Sequence, residues 1–165
     1  MMFRFMNFVS TLFFVIAIMS SCDTSHSRAR LNADMQKTMV ADTIVYSVTI
    51  KNPDAGDEWT EKCLSKLDRE RLVNEVFESV YEYRAKAYNY NSDEVMSARD
   101  LKKLEKSDEF SRDRVGRLQF KESWFFDATS QSFTKKIHAV LVAYEALTDE
   151  GDLRGYKAAF YIKIK

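Results

Sequence analysis

The sequence predicts an α+β fold: an antiparallel sheet of three to four strands packed with one long and one short helix. Two patterns carry this expectation. Apolar residues recur with period two in three segments after Val115, as half-buried strands require. Between Leu67 and Tyr88 they recur at spacings of three and four, which gathers them on one helix face.

Asp42 to Ile50, "DTIVYSVTI", is rich in Val, Ile, Tyr and Thr and alternates around Ile44, Tyr46, Val48 and Ile50, so it is expected as an early strand, a candidate fourth member of the same sheet. "KNPDAG" (Lys51 to Gly56) is turn chemistry. In the long helix, Leu72, Val73, Val76, Phe77 and Val80 form the apolar stripe and Asp68 is placed to cap its start. "NYNSD" (Asn89 to Asp93) ends it. A shorter helix from Ala98 to Lys106, with Ser97 as N-cap, has little apolar content beyond Leu101 and Leu104 and is expected to ride the surface. "RLQFKESWFFD", "SFTKKIHAVLVAYEAL" and "RGYKAAFYIKIK" then form a three-stranded meander joined by short polar links.

The N-terminus has a different character. Residues 1–21 carry Arg4, an apolar run from Phe8 to Met19, and Ser20 and Ser21, the pattern of a secretory signal. The run is short for a membrane span, which needs about 20 apolar residues. Cys22 directly follows the small residues, as in bacterial lipoproteins, where cleavage before the Cys allows acylation. Residues 22–41 are expected to hold the lipid attachment and a flexible polar tether, and 42–165 a single domain anchored on the periplasmic side of the outer membrane. The alternative is ordinary cleavage, giving a soluble periplasmic protein with Cys22 near a free N-terminus or paired with Cys63. With Cys22 lipidated, Cys63 reads as a small buried side chain near a helix start.

The chain balances 25 basic against 25 acidic residues. Removing residues 1–21 takes away Arg4 alone, so 25 − 1 leaves 24 basic side chains against 25 acidic. No basic stripe stands out, so nucleic acid is not an expected partner. No nucleophile-elbow, phosphate-loop or zinc-site pattern is present. No catalytic residue, cofactor or metal is therefore expected, and the chain reads as non-enzymatic. His26 falls in the tether and His138 in a strand, where it reads as structural or exposed and not as catalytic. "TDEGD" (Thr148 to Asp152) reads as a solvated hairpin tip, since its spacing does not fit an EF-hand calcium loop.

Two surfaces are candidates for binding. In "KESWFFD" (Lys121 to Asp127), Trp124 and Phe126 point to one side of a strand and Phe125 to the other. Aromatics on both faces require two covers, one of which could be a partner protein. The other candidate is a tyrosine cluster, Tyr81, Tyr83, Tyr88 and Tyr90, which could form a sugar- or peptide-binding platform.

The order of motifs carries a resemblance. "RLVNEVFESVYEYRAKAYNYNSDE", "KESWFFDATSQSFTKKIHAV" and "DEGDLRGYKAAFYIKI" together resemble the central region of the GldN (PorN) family of gliding-motility and type IX secretion proteins, over roughly residues 67 to 164. The resemblance implies a non-enzymatic, ring-associated scaffold in Bacteroidetes-type bacteria. Its partners would be a GldK-like lipoprotein and GldL- and GldM-like components, with homo-oligomers also open. The matching positions are Trp124, Phe125, Phe126 and Asp127, then Gly151, Leu153, Gly155 and Tyr156. Trp124, Phe125, Phe126 and Tyr156 are taken as partner-binding, and Asp127, Gly151 and Gly155 as turn residues. The family's long C-terminal region and its Trp- and Arg-rich N-terminal segment have no counterpart in these 165 residues, and Cys22 departs from its usual soluble form. The expectation is a short lipoprotein-like paralogue.

Overall fold

A computed structural model describes residues 38–164. Cys22, the signal segment and residues 22–37 of the expected tether lie outside the described residues. The elements are β1 (Thr38–Thr49), α1 (Glu58–Leu64), α2 (Arg69–Tyr81), β2 (Ala87–Tyr88), β3 (Val95–Met96), α3 (Ala98–Glu105), a 3₁₀ turn (Arg112–Arg114), β4 (Val115–Asp127), β5 (Ser132–Leu147) and β6 (Leu153–Lys163).

The class is α+β with one antiparallel sheet, in the order β1-β4-β5-β6-β2-β3. Among the described residues the sheet has six strands instead of three to four, and three α-helices accompany it instead of two. The two additional strands are two residues long, too short to show a period. Ala87 pairs with Ile162 and Met96, and Tyr88 with Tyr161 and Val95. The early strand does join the sheet, at its edge beside β4. It begins at Thr38, inside the span expected to be tether.

Helix α2 starts where Asp68 accepts the Arg71 amide at 3.0 Å. It ends at Tyr81, seven residues short of the expected Tyr88, because the backbone turns left-handed at Tyr83 (φ 59°) and then runs into β2. Phe77 is fully buried; its ring meets Phe160 edge-on at 5.0 Å and packs 5.7 Å from Phe110. Leu101 is also fully buried, so α3 is part of the core and not a surface rider. Its Ser97–Asp100 capping box fixes the start. Helix α1 buries no residue, which is why no apolar stripe announced it. Cys63 lies on this helix and is exposed, contrary to the buried position expected for it. No helix among the described residues is long and apolar enough to cross a membrane.

The helix-side sheet face carries Leu118, Val140, Val142, Tyr144, Phe160 and Ile162. Arg112, in the 3₁₀ turn that leads into β4, ties α2 to α3: Nε donates to Glu105 at 2.6 Å, a terminal nitrogen donates to Asn74 at 2.9 Å, and the guanidinium lies 4.5 Å from the Phe77 ring centre. The Tyr81 hydroxyl donates to the other Glu105 oxygen.

Residues 39–125 and 133–164 form one compact body, and the hairpin tip Phe126–Ser132 belongs to a second unit. Within the tip, Asp127 accepts the amides of Thr129 (2.9 Å) and Ser130 (3.3 Å) and the Ser130 hydroxyl (2.7 Å). Phe126 is exposed there.

Candidate functional site

The side-chain arrangement richest in chemistry surrounds Glu122. Alternation along β4 puts Phe120, Glu122 and Trp124 in one row. Glu122 is 2% exposed, a carboxylate in an otherwise aromatic line. Its Oε1 accepts from the Tyr46 hydroxyl at 2.8 Å, and its Oε2 from the Trp124 indole at 2.9 Å. The Lys135 ammonium sits 3.6 Å from Oε2, and 5.1 and 5.0 Å from the ring centres of Tyr46 and Trp124. Burial pushes the Glu122 pKa up, but the Trp124 and Tyr46 hydrogen bonds and the Lys135 charge outweigh it, and the net direction is down. The carboxylate is therefore ionised at neutral pH.

Around this anchor the aromatic rings have fixed poses. Tyr46 stacks on Phe120 at 5.7 Å, and Trp124 meets Phe133 edge-on at 5.4 Å. Phe133 remains 52% exposed and Trp124 half-buried. The result is a rigid, partly solvated aromatic patch with a cation in its middle.

On the opposite face, Ser123 bridges three strands. It is 2% exposed, 3.0 Å from Asp42 Oδ1 and 2.7 Å from His138 Nε2. Hydrogen bonding by Ser123 lowers the Asp42 pKa, so Asp42 is an acceptor at neutral pH. Serine has one proton, and it goes to Asp42. The His138 contact then requires His138 to donate from Nε2. A general base would need its lone pair at that nitrogen, and a triad would place the carboxylate on Nδ1. The geometry is that of a cross-strand tie.

The same face holds a shallow groove of about 710 Å³ whose lining includes Val45, Tyr90, Gln119, Lys121, Leu141 and Tyr161. Further along, Lys51 Nζ meets the buried Glu145 carboxylate at 2.5 Å.

The chain matches no family model and none of the curated proteins compared with it.

The sequence-derived candidates divide among these places. Trp124 lies in the Glu122 patch. Phe125 is half-buried on the other face by alternation. Tyr156 is apart from both: it is half-buried, pairs with Glu145 across β5 and β6, and carries the Arg117 guanidinium 4.0 Å above its ring. Burial raises its pKa, with Arg117 opposing. Gly151 adopts φ +93° in the β5–β6 turn, a conformation that favours glycine. There the Thr148 amide donates to the Asp152 carbonyl at 2.8 Å. Gly155 pairs with Ala146.

The tyrosine cluster does not converge. Tyr81 packs against the core, Tyr83 is 87% exposed, Tyr88 stacks on Tyr161 at 5.2 Å, and Tyr90 lines the groove. Among the described residues, no group of three or more His, Cys, Asp or Glu side chains is placed to hold a metal ion. Sequence reasoning missed Glu122, Tyr46, Lys135 and Phe133 as a set. The available signal was Glu122 itself, a carboxylate in register with four apolar positions.

Proposed function

We propose that this chain is a non-enzymatic exported lipoprotein, a GldN-like scaffold that binds protein components of a type IX secretion or gliding apparatus at the periplasmic side of the outer membrane. The observation that carries the reading is the preformed aromatic patch. Trp124 and Phe133 present area whose rotamers are already fixed by Glu122 and Lys135. A partner docking there would meet little of the entropic cost of ordering side chains. Aromatic residues in such positions dominate protein interfaces. The Ser123–His138 arrangement, with the carboxylate on the serine, also favours a structural over a hydrolytic role.

The resemblance of residues 67–164 to the GldN family supplies the partner class: a GldK-like lipoprotein and GldL- or GldM-like ring components. In this reading Cys22 carries the lipid that holds the domain at the membrane, at about 0.8 kcal/mol per buried methylene.

Affinity capture from detergent-solubilised envelope tests the proposal. Wild type should recover secretion-ring components, and Phe133→Ser should recover several-fold less at equal expression. Recovery of no secretion or motility component with wild type contradicts it. Metabolic labelling with a fatty-acid probe tests the anchor separately: label should appear on wild type and be absent from Cys22→Ala.

A further inference from the structure

The groove on the sheet face away from the helices has a wall at each end. Asp42, Thr43 and Val45 of β1 stand at one end; Tyr90 and Asp93, from the turn between β2 and β3, stand at the other. Residues of β4, β5 and β6 make the floor between them. Its volume, about 710 Å³, falls within the range of small-molecule sites. The walls also hold unusual backbone. Of the four left-handed non-glycine residues among the described residues, Thr43 (φ 55°) and Asp93 (φ 56°) both line this groove. For a β-branched residue such as Thr43 that conformation is an outlier, of the kind that clusters at ligand sites.

The lining has a specific chemistry. Tyr90 is 58% exposed, so a ring face is open to a ligand. Tyr161 is posed by stacking on Tyr88, over which Lys163 sits at 4.1 Å. Lys163 is paired with Asp93 at 3.5 Å. Two charged groups of opposite sign remain. The side-chain donors to Asp42, Ser123 and Thr43, both bind its Oδ1. Lys121 is exposed and has no side-chain hydrogen bond or ion pair among the described residues. With Nε2 donating to Ser123, a neutral His138 ring adds Nδ1 as an acceptor. The groove therefore offers donors, acceptors and an aromatic face at no net charge.

These features select among ligands. A sugar hydroxyl can donate to Asp42 and accept from Lys121, while an apolar sugar face lies on a tyrosine. An anion meets Asp42 as a like charge, and a cation meets Lys121. A peptide gains less: β4, β5 and β6 have strand partners on both sides, so the floor has no edge on which a further strand could pair.

We infer that this groove binds a neutral oligosaccharide, stacked on Tyr90 and hydrogen-bonded by Asp42 and Lys121. The groove lies on the face opposite the Trp124–Phe133 patch, and the inference does not depend on the scaffold reading.

Saturation-transfer NMR and calorimetry on the full-length chain test it, in a zwitterionic detergent that carries no sugar head group. The probes are cellotetraose, maltotetraose and chitotetraose, with the neutral peptide N-acetyl-tetraalanine amide as comparison. At least one of the three sugars should bind with a dissociation constant of about 1 mM or tighter. Tyr90→Ala and Lys121→Ala should each weaken it roughly fivefold or more, while Phe133→Ser on the other face leaves it unchanged. Thermal melts check that the fold is kept; Tyr90 and Lys121 are both exposed, so neither substitution opens the core. No binding of any of the three sugars at about 10 mM overturns the inference. Binding that survives both groove substitutions overturns its location, and a peptide that binds as tightly as the sugars overturns the ligand class.

Discussion

The Glu122 carboxylate accepts a hydrogen bond from the indole of Trp124, two residues further along the same strand, at 2.9 Å. Both groups stand on one face, so a buried charge and a large ring hold each other in place, with Tyr46 and Lys135 completing the set. Glu122→Gln keeps the shape but replaces one acceptor oxygen with an amide donor. Either Tyr46 or Trp124 then loses its acceptor. We expect a loss of about 1–3 kcal/mol in urea unfolding, together with a weakened near-UV circular dichroism signal from Trp124.

The same group sets an acid limb. Its folded pKa lies below the ordinary value of 4.5, so the folded state favours the ionised form. The stability this contributes is complete above that value and is lost as pH falls through the lower folded pKa. Wild-type melting temperature should therefore decline as pH drops below about 4.5, and the decline should be shallower in Glu122→Gln.

Tyr81 gives the alkaline counterpart. Burial, followed by its hydrogen bond to Glu105 and that residue's charge, raises the phenol to about 12. The folded state holds the proton more tightly than the unfolded chain, so the contribution is present below pH 10 and lost as pH rises toward 12. In a difference titration at the phenolate band, replacing Tyr81 by Phe should remove the latest-titrating component. Glu105→Gln should move that component to lower pH.

Ser123→Ala removes the tie between β1, β4 and β5. Asp42 is exposed and can turn to water, so the expected cost is modest, roughly 1–2 kcal/mol. Amide exchange should quicken in β1 more than in β5, because among the described residues β1 has a strand neighbour on one side only.

Gly116 is the tightest glycine position. A Cβ there would stand 3.0 Å from the Tyr156 ring and 3.4 Å from Glu145. Gly116→Ala should destabilise by about 1–3 kcal/mol through overpacking. Combination with Tyr156→Leu should recover part of that loss, since the flat ring edge is the group in the way.

The main strands and the two stabilising helices were legible because each buries a face, and burial imposes a period. What escaped has physical reasons. Helix α1 buries nothing, so it leaves no stripe; Trp59 on it is 72% exposed. β2 and β3 are held by two residue pairs each to their neighbours, and two residues cannot alternate visibly. The left-handed backbone at Thr43 (φ 55°) has no glycine to mark it. The Glu122 patch joins residues from three strands, with Tyr46 lying 76 positions from Glu122. Sequence proximity misled in the other direction for the tyrosines: the left-handed turn at Tyr83 sends Tyr81 into the core and Tyr88 to the far side of the sheet.

The most direct test of the scaffold reading is site-specific photo-crosslinking in intact cells, with a photoreactive residue replacing Phe133. The account predicts a discrete crosslinked adduct to a component of the secretion or motility ring, lost when Trp124 is also replaced by Ala. Efficient incorporation without any protein adduct, or adducts only to unrelated envelope proteins, would contradict it.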